Sequence, residues 1–393
     1  MIHPPLPFRA SRPPQMVVFG DSGSDVGRRF NAPASVDIEG IGPFPWEKLF
    51  ESPDSDSKFR AYLPAPGSPT NGKVWPSWLH VPDELNFATS SASASDAFRS
   101  RETCTGYSGE GEDFPTATLE EQVTRYFHDI VDYTDETLDY THVIAIGGNE
   151  PIRVLQAIAR YTIGGVGYVD PVEFQNVLEF VDEAPTPTFE PALAEIVRAW
   201  REEINRLIER GVKGRILLGN LGSPRGLPGL DTEVGNTLDL VYLAARTAAE
   251  EIAQDIPQVR VLDLYALGAA IVDDPEVFES LGFTGGSSLT EACLTFDFFV
   301  DDQTDIMGPQ AARAAGCQED CALCADGVSP CQNCFEGNPS GAICENPERY
   351  VFWDSRHFTT DFHQILAEAI RQCTKDEPNY DRDWVELLCP VGA

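Results

Sequence analysis

Five short apolar runs, each bounded by Gly, Asn or Asp, punctuate the chain at residues 16–19, 85–88, 142–146, 215–219 and 259–263. Continuous apolar runs of this length suit strands buried on both faces, as in a parallel sheet. Amphipathic stretches lie among them. Residues 191–210 put Leu193, Ile196, Val197, Trp200, Ile204, Leu207 and Ile208 on one helical face, and Gly211 and Gly214 then punctuate the pattern. Residues 236–253 and 361–373 read as two more helices. Alternating strands and helices predict an α/β fold built as a three-layer α/β/α sandwich. Residues 28–79, rich in Pro, Gly and Ser, and residues 273–349, acidic and then cysteine-rich, break the alternation. Both are too long for ordinary connections, so they read as functional loops or insertions. The expectation is one domain over residues 1–393 with a cysteine-rich insertion at about 293–345.

Charge narrows the range of partners. The 393 residues carry 28 Lys+Arg against 63 Asp+Glu, a formal charge of −35. Phosphate backbones are held by clustered cations, so nucleic acid is not an expected partner, and anionic lipid is disfavoured for the same reason. Hydrophobic residues make up 42% of the chain, enough for a large core and against disorder. No apolar run approaches the roughly 20 residues needed to span a bilayer.

The segment Phe19-Gly20-Asp21-Ser22-Gly23-Ser24-Asp25 runs from the first apolar stretch straight into Gly-Asp-Ser. In an open α/β sheet, ligands sit beyond the carboxyl ends of the strands. A serine there, flanked by Gly20 and Gly23, suits a nucleophile; the competing reading is an N-cap on a following helix. A nucleophilic serine needs a base. Among six histidines, His357 closes Asp354-Ser355-Arg356-His357 just before a predicted helix. A carboxylate three residues ahead of a histidine can accept its Nδ1–H and leave Nε2 for the serine. His363 lies on the helix and reads as a surface or packing residue, and His142 starts the third run and reads as structural.

Taken in order, these segments resemble the SGNH, or GDSL, hydrolase family. Gly20-Asp21-Ser22 with Asp25 and Gly27 is similar to its first block, and residues 71–79 to the stretch before its second. Residues 86–92 resemble the second block, Gly147-Gly148-Asn149-Glu150 the third, and residues 351–357 the last. Residues 220–224 and 236–240 are similar to the fungal and plant acylhydrolase branch. The resemblance implies a flavodoxin-like five-stranded parallel sheet of order 2-1-3-4-5. It implies ester hydrolysis through an acyl-enzyme, with no metal or organic cofactor. By position, Ser22 is the nucleophile, His357 the base and Asp354 its orienter. The oxyanion hole is the Ser22 N–H, the Ser91 N–H and the Asn149 amide. Ser91 stands where the family has glycine, and Glu150 where it has aspartate.

The strong negative charge favours neutral esters, short-chain acyl or acetylated carbohydrate, with lipid esters as the alternative within the enzyme class. A binding protein on a degraded esterase scaffold is the alternative from another class. Ten cysteines remain, with six between Cys317 and Cys344. Those six fit three disulfides, two Cys-x2-Cys pairs holding zinc, or free thiols. Cys104, Cys293, Cys373 and Cys389 are too scattered to pair from spacing. The acidic stretch 297–305 lacks the glycine and terminal glutamate of a calcium loop and reads as a solvated face. Cysteine number and charge suit an oxidising compartment. Residues 1–15 hold five prolines and no signal-like apolar core. The expectation is a secreted protein whose leader is absent from this chain, with a cytoplasmic protein as the alternative.

Overall fold

In the computed structural model, the residues described are 15–26, 37–38, 42–43, 70, 72–89, 92–95, 101–102, 114–115, 118–151, 154, 189–228, 232–283, 288–297, 340–344, 346–353, 357–375 and 383–390. Four parallel strands form one sheet: β1 (Met16–Gly20), β2 (Thr141–Ala145), β3 (Ile216–Gly219) and β4 (Val259–Leu262), side by side in that order. Every residue of β1 and β3 is buried, which is why these runs carry no polar alternation.

Helices connect and cover the strands. Helix α1 (Leu119–Tyr126) opens with a capping box in which Thr118 and Glu121 satisfy each other's backbone N–H. Helix α2 (Glu190–Glu209) buries Ile196, Trp200, Ile204 and Leu207, with Leu193, Val197 and Ile208 packed at the margin, as its periodicity predicts. Helix α3 (Thr232–Asp255) returns the chain from β3 to β4, so that β2-α2-β3-α3-β4 repeats the parallel crossover. α1 packs on α2 and α2 on α3. Helices α4 (Leu264–Asp273), α5 (Thr360–Cys373) and α6 (Asp383–Leu388) make a second group, with α6 between the other two. A Cys373–Cys389 disulfide ties the end of α5 to the residue after α6. Nearly all buried apolar side chains belong to one core cluster. Among the described residues no helix is long and apolar enough to cross a membrane.

The expected strand at 85–88 is not one. A short 3-10 turn covers Asp83–Leu85, and Asn86 alone bridges to Val18 of β1. The Phe87 N–H donates to Val18 O and the Thr89 N–H to Gly20 O, so the segment runs beside β1. The ladder goes no further because the Gly20 N–H, which would continue it, donates to Gln122 Oε1 instead, while the Asn86 side chain is used locally. Its Oδ1 accepts the Ala88 N–H at 3.0 Å, and its Nδ2 donates to Ser24 O at 2.9 Å.

Outside the main sheet the described residues form four two-stranded ladders, of which two, within residues 288–352, bear on the site. β5 (Ser288–Ala292) pairs in parallel with β8 (Tyr350–Phe352), while β6 (Leu294–Asp297) pairs antiparallel with β7 (Ser340–Ile343). Cys293, between β5 and β6, is bonded to Cys344 just after β7. This corrects the grouping of six cysteines at 317–344: Cys344 is partnered from outside that cluster. Cys104, Cys317, Cys321, Cys324, Cys331 and Cys334 lie outside the described residues, as does all of the acidic stretch 297–305 except Asp297.

Candidate active site

The chain leaves β1 through a tight turn. A Cβ on Gly20 would come within 2.9 Å of Ala145 O and of the Ser24 side chain, so only glycine lets the turn start this close to β2. The turn is bonded from three directions. Gln122 on α1 accepts the Gly20 N–H through Oε1 at 2.8 Å and donates Nε2 to Gly20 O at 2.9 Å. The Trp75 indole N–H donates to Ser24 Oγ at 3.0 Å, and Asn86 holds Ser24 O. Ser24 and Asp25 are buried below, while Asp21 and Ser22 are partly exposed. Ser22 caps no described helix; its hydroxyl meets a histidine instead. His357 Nε2 lies 3.0 Å from Ser22 Oγ, across 335 positions of sequence. With the imidazole neutral and its proton on Nδ1, Nε2 accepts the serine hydroxyl.

His357 ends a return from β8. The Trp353 N–H donates to His357 O at 2.7 Å, Phe352 bridges Phe358, and the Thr359 N–H donates to Val351 O. Thr359 then caps α5 through its hydroxyl. His363 on that helix is buried against Phe358, a packing residue. Burial holds its imidazole down to about 3, and the charge of His357 acts in the same direction. His142 in β2 is structural too: fully buried, 3.1 Å from Tyr126 Oη and 2.9 Å from Tyr140 O, and held near 4 by desolvation.

The second strand end supplies Asn149. Gly147 sits at φ +124°, where a side chain is strained and a Cβ would meet Ile196 at 3.0 Å. Trp200 of α2 donates its indole N–H to Ile146 O, and the Tyr242 hydroxyl of α3 donates to Gly148 O. Asn149 Nδ2 donates to Ala92 O at 2.8 Å; an amide NH2 carries a second hydrogen for another acceptor. Glu150 is fully buried, and its Oε1 accepts the N–H groups of Ala94 and Ser95. Ser95 in turn donates its hydroxyl to Glu195 of α2. Asn149 and Glu150 therefore fasten the 92–95 segment to the end of β2. The Glu150 carboxylate thus has a visible structural task here.

Asp21 joins the two strand ends. Its Oδ1 accepts the Gly23 N–H at 3.2 Å, and it also takes a backbone N–H from Gly148. Burial pushes its carboxyl up to about 6, against the Gly23 N–H, the His357 charge and the Gly148 N–H, which all pull it down.

Of the residues singled out from sequence, Ser22 and His357 are brought into contact and Asn149 is set at the neighbouring strand end. Ser91 and Asp354 lie outside the described residues. Sequence reasoning missed Gln122, which carries no motif, and the structural work of Trp75 and Asn86, which stood in the family-like segments unexplained. Among the described residues no group of three His, Cys, Asp or Glu is placed to hold a metal ion. Compared with known proteins, the chain matches no protein-family model and no curated protein.

Proposed function

We propose that this chain is a serine carboxylic ester hydrolase of the SGNH type, acting on neutral esters through an acyl-enzyme. The observation that carries the reading is the 3.0 Å approach of His357 Nε2 to Ser22 Oγ, at the carboxyl end of a parallel strand. In this reading the Asn86 bridge marks the remaining strand of a flavodoxin-like sheet of order 2-1-3-4-5, beside β1.

Ser22 Oγ attacks the ester carbonyl while its proton passes to His357 Nε2, and the carbonyl π pair moves onto oxygen. That oxyanion is held by the Ser22 N–H, the Ser91 N–H and the Asn149 amide, the kind of donor that acts where negative charge develops. Collapse breaks the bond to the leaving oxygen, which takes the proton from Nε2. Water then repeats the attack on the acyl-enzyme, giving its proton to Nε2 and releasing the acid as Ser22 regains a hydrogen. Asp354 orients the imidazole throughout. The chain's net charge of −35 supports uncharged substrates, short-chain acyl or acetylated carbohydrate esters, with lipid esters as the longer-chain variant. Two disulfides support an oxidising, extracellular setting.

The test is labelling by a fluorophosphonate ester alongside turnover of an aryl acetate. Wild-type protein is expected to label at Ser22. Ser22→Ala and His357→Ala are each expected to lose about 10⁴-fold or more in kcat with the fold intact, because such residues act as a unit. Near-normal hydrolysis by Ser22→Ala ends the catalytic reading. An unlabelled, inert wild type favours a binding protein on an esterase scaffold.

A further inference from the structure

A covalent link lies directly behind the histidine and plays no part in the chemistry above. Cys293 and Cys344 are joined with Cα atoms 4.8 Å apart, at the foot of the β6–β7 ribbon. The Cys344 N–H donates to Cys293 O at 2.8 Å, and the Cys293 N–H donates to Phe352 O at 3.0 Å. Trp353, only 2% exposed, packs on this pair with Tyr350 beside it. The Trp353 N–H then makes the 2.7 Å bond to His357 O. From the sulfur bridge to the backbone of His357 there is one continuous line of contacts, and none of it passes through the four-stranded sheet. The pairing it reinforces is short: β8 has three residues and meets β5 with a register shift in a two-stranded ladder. Val351 and Phe352 of β8 are buried in the main core, whereas Trp353, the residue bonded to His357, packs in the separate cluster at the disulfide. A base works only within hydrogen-bond reach of its proton, and a shift of about 1 Å can cost on the order of 10²-fold.

We infer that the Cys293–Cys344 disulfide, acting through Trp353, positions His357 against Ser22. The disulfide is a positioning element and touches no reacting atom. The inference rests on the esterase reading.

Cys293→Ala/Cys344→Ala is expected to lower kcat on a small aryl acetate about 10- to 100-fold with KM little changed. The other bridge is the control: Cys373→Ala/Cys389→Ala is expected to keep kcat within about threefold at a temperature where it remains folded. The decisive arm is a His357→Ala background, which retains the residual activity of binding and the oxyanion hole. There, removing Cys293–Cys344 is expected to cost nothing further, because there is no histidine left to position. If the cysteine pair cannot be removed without unfolding, Trp353→Leu keeps the bridge, cuts the contact and is expected to show the same kcat-selective, His357-dependent loss. An unchanged kcat in these folded variants, or an equal loss with and without His357, overturns the inference. Fluorophosphonate labelling of wild-type Ser22 keeps the two failures apart. Labelled protein with an unaffected variant sinks the positioning role alone, and unlabelled wild type sinks the esterase reading beneath it.

Discussion

The two halves of the Ser22–His357 pair are supported by different physics. The turn that carries Ser22 is part of the main core. Gly20 continues a fully buried strand, Gln122 bonds both its backbone groups, and Trp75 and Asn86 fix Ser24. Those partners come from three separate stretches of chain, so the turn cannot move without disturbing all of them. The histidine return hangs from a three-residue strand in a two-stranded ladder, braced by a disulfide and a tryptophan. Both halves reach the main core, since Val351 and Phe352 are buried in it, but the second adds a covalent clamp at Cys293, Cys344 and Trp353 that the first lacks. Damage to the first side should therefore register in global stability, and damage to that clamp in kcat.

The largest expected effect lies on the core-supported side. Asn149 stands at the end of β2, bonded to Ala92 O while its second amide hydrogen remains for the substrate. Asn149→Ala should lower kcat by about 10²–10³, the usual cost of one lost oxyanion donor, with little change in KM. Steady-state kinetics on an aryl acetate measures it. A silent Asn149→Ala would remove this residue from the oxyanion hole and leave the β2 end with a purely structural task.

A smaller effect should separate the two modes of support. Gln122→Ala leaves the Gly20 N–H buried without its acceptor and takes one donor from Gly20 O. An orphaned buried group of this kind costs about 1–3 kcal/mol. The urea midpoint should fall with the m-value unchanged, while kcat of the still-folded fraction drops by less than about tenfold. Large losses in kcat with an unmoved midpoint would mean that the nucleophile turn is also locally clamped, and the contrast with the histidine side would vanish.

The comparison also explains what could be read from sequence. Four of the five apolar runs are strands because burial on both faces demands continuous apolar side chains, and that demand is local. The fifth run, 85–88, is held beside β1 by a single bridge because the Gly20 N–H that would extend the pairing donates to Gln122, a tertiary commitment that composition does not reveal. The α2 helix was legible from its 3.6-residue stripe. α4 was not, since Leu264-Tyr265-Ala266-Leu267-Gly268-Ala269-Ala270 shows little polar alternation, although its N-cap Asp263 was there to be noticed. Ser22 and His357 are 335 residues apart, so no spacing rule joins them; the strand-end serine and the Asp-x-x-His loop proposed the pair, and the family resemblance assigned the same roles. The support for Ser22 comes from residues 75, 86 and 122, and the clamp on His357 from a Cys293–Cys344 link of 51 residues, which spacing obscured by grouping Cys344 with its five near neighbours.

The smallest expected effect concerns Asp21, which belongs to the core-supported turn while its charge is felt by His357. Burial raises its carboxyl from 3.8 to about 6. Between those values the native state holds a proton that the unfolded chain has released, so native stability falls as pH rises from about 4 to 6 and the cost is complete above 6. Each tenfold weakening of the acid is worth about 1.4 kcal/mol, so the full cost is at most about 3 kcal/mol. Asp21→Asn keeps an oxygen to accept the Gly23 N–H and removes the charge. It should therefore stabilise the protein above pH 6 and change nothing below pH 4, as read from urea midpoints across that range. Catalysis should move the other way. On the proposed esterase mechanism, imidazolium forms on His357 during attack and an ionised Asp21 stabilises it, so the asparagine variant should lose about three- to tenfold in kcat above pH 6. Below pH 5, where wild-type Asp21 is itself protonated, the two proteins should converge. A wild-type to variant ratio that stays flat from pH 5 to 8 would show that Asp21 serves the turn alone and that its charge does not reach across to the clamped side.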